Sequence, residues 1–290
     1  MTIFRKSDRF VRLNRQRINT NKMENLKNKV AVVFAASGEI SGAVARSLAQ
    51  HGAKVYVTAR NLAAVNTLAK DIKASGGWAE AAKVDALNET EIDNCLQKVV
   101  AGNGKLDIVF NGIGNYYQDA GSGSPSTIVT FEQFLSPLQK FCGSQFLTSR
   151  AAAKYMIQTA SEGTILLLSS ALARMKTPNM AGFAASCAAI EALTRVMAAE
   201  FGGQGIKVTC ICPAAILESH KISEMIGDFS KHLGISQQQM TEQVYKRFDI
   251  LKTGPTLKHV GEIAAFLASD NGMTFNSHIV DVDCGKLNVI

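Results

Sequence analysis

Apolar residues come in short runs along this chain, and each early run is followed by an amphipathic stretch. Residues 29–35, 54–58, 79–84 and 106–111 have the length and composition of strands. Between them, 42–51, 62–75 and 89–101 carry apolar positions at helical spacing, as Ala43, Val44 and Leu48 illustrate. Strands alternating with helices at this interval predict βαβ units and a parallel sheet covered by helices on both faces. After a glycine- and serine-rich stretch at 121–126, the pattern predicts one long helix over 131–156, a fifth strand at 164–169 and an Ala-rich helix at 181–201. Residues 207–212 and 279–282 bring the count to about seven strands, and 213–257 reads as a polar, partly helical insertion that covers a pocket. Such a chain predicts an α/β doubly wound sheet, whose ligands bind beyond the carboxyl ends of the strands where the strand order reverses.

Composition narrows this to one domain. The chain has 290 residues, of which 47% are hydrophobic and 19% charged, enough for one well-filled core spanning 23–290. A net charge of +7 suggests a polyanion partner, yet residues 1–22 alone carry +6 of it. Basicity belongs to a tail and not to a folded face, so no nucleic-acid partner is expected. Three origins suit the tail: an Arg-rich organelle presequence, a disordered basic arm, or upstream sequence before the true start. The last is preferred, because Met23 is followed by Glu24-Asn25-Leu26-Lys27-Asn28-Lys29 directly before the first strand. No stretch reaches about 18 unbroken apolar residues and no signal-peptide core precedes the domain, so a cytoplasmic protein without a membrane partner is expected. The six cysteines form no CxxC pair, which leaves reduced thiols and no metal site as the reading.

The candidate chemistry lies at the strand ends. The first turn reads Phe34-Ala35-Ala36-Ser37-Gly38-Glu39-Ile40-Ser41, the second strand ends in Thr58-Ala59-Arg60-Asn61, and the third in Val84-Asp85. Asp107-Ile108-Val109-Phe110-Asn111-Gly112-Ile113-Gly114 forms the fourth, and Ile279-Val280-Asp281-Val282-Asp283-Cys284-Gly285 closes the chain. In this order, from about Leu26 to Leu287, these segments resemble the short-chain dehydrogenase/reductase family, a Rossmann-like fold. The resemblance implies a dinucleotide cofactor held by Ser37, Ile40, Arg60, Asp85 and Asn111. Arg60, with no acidic residue beside it, implies NADP in preference to NAD.

Departures from the family pattern are as informative as the matches. The family's T-G-x-x-x-G-x-G turn has lost all three glycines, to Ala35, Glu39 and Ser41, and Glu39 sets a carboxylate where a diphosphate belongs. Glu218 stands where the family has a threonine against the nicotinamide amide. NADP(H) binding is therefore expected to be weak or absent. Of the family's catalytic set only Ser170 remains. Phe183 replaces the tyrosine thirteen residues on, Cys187 replaces the lysine, and Phe141 falls at the asparagine position. Phenylalanine has no proton to give and a thiol no fixed positive charge. An alternative arrangement with an earlier tyrosine also fails, since Met180 falls there. Substitute groups are Arg174, Lys176, Tyr116, Tyr117, His220 and Lys221, each more often an exposed loop residue.

Three functions remain open. The first is a family member without the standard reaction, which binds a small molecule or associates with itself or with relatives. In the second, the pocket serves isomerisation, dehydration or cyclisation through Glu39, Glu218, Arg174 and Lys176. The third is a residual NADP-dependent reductase that draws its proton from water. Fold descent alone does not choose among them.

Overall fold

Val30–Phe34, the first strand (β1), is apolar and buried at every position. An unbroken apolar strand suits a sheet covered on both faces. The computed structural model describes residues 25–114, 120–242, 250–251 and 253–289. The basic tail, and Tyr116 and Tyr117, lie outside the described residues. The remaining strands are β2 (Lys54–Ala59), β3 (Trp78–Lys83), β4 (Ile108–Asn111), β5 (Thr164–Leu168), β6 (Lys207–Pro213) and β7 (Ile279–Val282). They form one sheet in the order β3-β2-β1-β4-β5-β6-β7, and every neighbouring pair is parallel. This is the doubly wound sheet that the alternation predicts. From β1 the chain builds outward to β3, then returns to lay β4 on the other side of β1, so the order reverses between β1 and β4.

Helices α1 (Glu39–Gln50), α2 (Leu62–Ala74) and α3 (Glu89–Asn103) join the early strands. Asn61 and Asn88 cap α2 and α3 by accepting from the backbone N–H groups of Ala64 and Glu91, each at 3.2 Å. The order of elements in the second half is α4 (Phe131–Pro137), α5 (Gly143–Gln158), α6 (Ala181–Phe201), α7 (His220–Leu233), α8 (Gln237–Met240) and α9 (Leu257–Ala268). One layer brings α1 against α9; the other brings α3 against α5 and α5 against α6. By length and composition 181–204 would cross a bilayer. Its buried Ser186, Glu191 and Thr194 and its packing on β6 make it instead a helix of the core.

The pattern fails in two places that matter for the site. Residues 131–156 are not one helix: α4 stops at Pro137, a π-helical turn occupies Leu138–Cys142, and α5 follows. Pro137 lacks the N–H that an unbroken α-helix needs, which accounts for the break. The wider turn carries Phe141 into the core, where it is 3% exposed. The second failure is at α1, which starts at Glu39, three residues before the apolar periodicity begins, with Gly38 as its N-cap.

Candidate functional site

In a doubly wound sheet the ligand crevice falls where the strand order reverses, here between the turn after β1 and the segment after β4. Ala35, at the first glycine position, has φ +53, a left-handed conformation that costs alanine roughly 1–2 kcal/mol. The Gly38 N–H donates to the Ala35 carbonyl at 3.0 Å, so the turn keeps its shape without the glycine. Ser37 is exposed on this turn, and Ile40 is half-buried against the core. Ser41, at the third glycine position, is buried, and among the described residues its Oγ makes no hydrogen bond. A Cβ on Gly112 would stand 2.2 Å from that oxygen. The serine has filled the gap between α1 and the segment after β4.

Glu39, partly exposed, is held by a partner rather than left to solvent. It accepts from the backbone N–H of His220 at 3.0 and 3.3 Å and meets the His220 Nδ1 at 2.6 Å. Burial alone would raise its carboxyl, but the hydrogen bonds from His220 and Ser219 hold it below the ordinary range. The same bond raises the His220 imidazole above its ordinary value. The neighbouring Lys221 Nζ lies 3.5 Å from where a Cβ on Gly114 would stand. The start of α7 therefore reaches from the β1 turn to the segment after β4, across the crevice. Glu218 is also engaged: it accepts from the Leu257 N–H at 2.6 Å. That bond ties the start of the insertion to the first turn of α9.

The other predicted cofactor residues divide. Arg60 is exposed at the end of β2 and no described residue bonds its guanidinium. Asp85 accepts from the Leu87 N–H at 3.0 Å, and its own N–H donates to Glu91 at 2.8 Å, which makes it part of the turn into α3. Asn111 is buried; it donates to Thr148 Oγ1 at 3.0 Å and accepts from the Ile113 N–H at 2.9 Å. Both ends of its amide hold β4 and the following segment in place.

At the catalytic positions the geometry is apolar. The Phe141 and Phe183 rings are parallel within 1°, with centroids 5.6 Å apart. Two positions at which the resemblance leads one to expect a proton donor and an amide thus form one stacked pair. Cys187 is wholly buried, and burial pushes its thiol up to about 12, so it is neutral and no nucleophile. Ser170 is half-buried and accepts weakly from the Leu172 N–H at 3.4 Å. Arg174, expected to reach an anionic substrate, is committed elsewhere. Its guanidinium forks onto both Asp281 oxygens, lies 3.4 Å from the buried Glu191 and contacts the Cys212 Sγ at 3.3 Å. These hydrogen bonds, the one donated to Asp281 foremost, raise the Arg174 value further. Lys176 is exposed. Glu191, His220 as the partner of Glu39, and the Ser41–Gly112 contact were not singled out from sequence. Glu39 and His220 are 181 positions apart, and no local pattern links them.

Residues 35–286 match the family model described as enoyl-(acyl carrier protein) reductase. The chain belongs to the short-chain dehydrogenase/reductase family. It is 28% identical over 270 residues to a probable tetrahydroxynaphthalene reductase of Zymoseptoria tritici, covering 89% of this chain and 94% of the relative. It is 25% identical to a (+)-cis,trans-nepetalactol synthase of Nepeta racemosa, covering 91% and 93%. Among solved structures, a 7α-hydroxysteroid dehydrogenase complexed with NADH and 7-oxo glycochenodeoxycholic acid superposes with a TM-score of 0.79 at 26% identity, covering 91% and 96%. Reductases and dehydrogenases are thus among the relatives of this short-chain dehydrogenase/reductase.

Proposed function

We propose that this family member does not carry out the family's carbonyl reduction or alcohol oxidation at an ordinary rate, and works instead by binding a small molecule or by association. The stacked Phe141–Phe183 pair carries the reading. Without a positioned general acid the reaction loses roughly 10² to 10⁴ in rate. Cys187, neutral and buried, supplies no charge to lower the value of any replacement donor.

The crevice supports the same reading. A diphosphate entering beside the β1 turn meets an ionised carboxylate on Glu39, and like charges in a partly desolvated cleft repel. As arranged, these residues do not fit that group, so cofactor binding is weak or absent. Arg60 remains available and favours NADP over NAD in whatever affinity is left. Association with copies of itself or with relatives would use α5 and α6, where Phe146 is 41% and Val196 54% exposed. A cytoplasmic location accompanies this reading.

Cofactor-free conversion is a second reading, favoured by the relative named as a synthase. Of its polar groups, Glu39, Glu218 and Arg174 are held in internal bonds, which leaves it Lys176. The test is turnover: the full chain with NADPH or NADH and a panel of ketones and aldehydes, followed by loss of nicotinamide absorbance. Turnover within tenfold of an ordinary reductase would refute the proposal. Product formed from a panel of reactive carbonyl substrates without cofactor would establish the second reading.

A further inference from the structure

We propose that Glu39 is an internal anion that shuts the diphosphate end of the crevice by fastening the first turn of α7 across it. This deepens the reading that the crevice descends from a dinucleotide site. Three observations meet here. Glu39 opens α1, a helix of 12 residues, and its carboxylate also faces the first backbone N–H of α7, a helix of 14 residues. An anion is stabilised at either end by the unpaired N–H groups and the helix dipole. The His220 ring adds a second bond from the same residue at 2.6 Å. Finally, α7 is seated on both walls: Glu39 holds it at the β1 side, and Lys221 lies beside Gly114 at the β4 side.

Further along α7, Phe229 packs on Gly123. A Cβ there would stand 2.9 Å from the ring, and φ is +92, so glycine is required on both counts. The Glu39 contact joins α7 to the turn that a diphosphate would use. An incoming diphosphate competes with the carboxylate for the same N–H groups and is repelled by it. Loss of the carboxylate removes both obstacles, while Ala35 keeps the turn in its left-handed shape.

The experiment compares NADPH binding to the full-length wild-type chain, Glu39→Gly, Glu39→Gln and His220→Ala by calorimetry at pH 7. The expected result is affinity at least tenfold tighter for Glu39→Gly than for wild type, with a smaller gain for His220→Ala. Equal affinity in wild type and Glu39→Gly overturns the proposal, as does failure of both to bind at millimolar cofactor. Should the glycine variant fold poorly, the near-isosteric Glu39→Gln decides in its place. Amide hydrogen exchange without cofactor gives an independent readout. Residues 220–226 should exchange at least tenfold faster in Glu39→Gln than in wild type, and unchanged exchange would refute a fastening role. The outcome is separate from the turnover test. A wild-type chain that reduces ketones sinks the loss of reaction, whereas the affinity ratio between wild type and the Glu39 variants bears on the latch alone.

Discussion

Energetic coupling between Phe141 and Phe183 tests most directly whether the catalytic positions are closed by stacked rings. Phe141 is 3% exposed, so truncation to alanine would cost about 3–5 kcal/mol, a large part of a domain's stability. Leucine keeps apolar volume and costs about 1 kcal/mol at each site, which leaves every variant folded. Parallel rings with centroids 5.6 Å apart, at a carbon contact distance of about 3.5 Å, are offset sideways by about 4.4 Å. That is offset stacking with limited overlap, so the pair contributes about 0.5–1 kcal/mol beyond its burial, the lower part of the usual range. The double variant Phe141→Leu/Phe183→Leu should therefore be less destabilised than the sum of the single variants by that amount. Urea unfolding followed by far-ultraviolet circular dichroism measures it, with the four slopes compared to confirm a common unfolding transition. Coupling within about 0.3 kcal/mol of zero is what independent sites show. That result would mean the rings do not meet and the position expected for a tyrosine is open, which refutes the proposed apolar closure.

Gly112→Ala should cost about 1–3 kcal/mol, because its Cβ would collide with Ser41 Oγ and crowd the Phe110 ring; adding Ser41→Gly should recover part of the melting temperature, and no recovery would place the obstacle at the ring. Arg174→Met strips the partner from buried Glu191 and from Asp281; the loss should be about 1–3 kcal/mol, below that of a fully buried pair because the arginine is partly exposed. Glu191→Gln in that background should restore part of it in urea unfolding, and a further loss would count against the pairing. Burial draws buried Lys207, which donates to the Leu267 carbonyl, from 10.5 down to about 8. A cation held below its unfolded value lowers stability throughout the range below about pH 8, and the penalty is relieved as pH rises from there toward 10.5, because the unfolded chain then binds more protons. Relative to Lys207→Met, the wild type should gain up to about 3 kcal/mol between pH 7.5 and 10.5; a difference flat across that range in paired urea melts would refute it.

What could be read from the chain alone was whatever depends on neighbours in sequence. Apolar runs such as Val30–Phe34 are buried from both sides and admit little but a central strand, so element order and the parallel, doubly wound sheet follow from local pattern. The family resemblance, counted from Ser170, put Phe183 at the tyrosine position and Cys187 at the lysine position, and residue chemistry alone said that the first has no proton to give and the second no fixed positive charge. Element ends were legible only to within a few residues, and Pro137 marked a break that apolar periodicity ran straight through. Side-chain partners were decided by tertiary structure. Glu39 looked like a bare charge until the fold brought His220 to it. Arg174 looked available until β7 set Asp281 against it, and Phe141 and Phe183 were separate losses until the π turn made them one pair. The reason is physical: a hydrogen bond, an ion pair or a ring stack acts over a few ångströms, and which residues lie that close is fixed by how the sheet and helices pack.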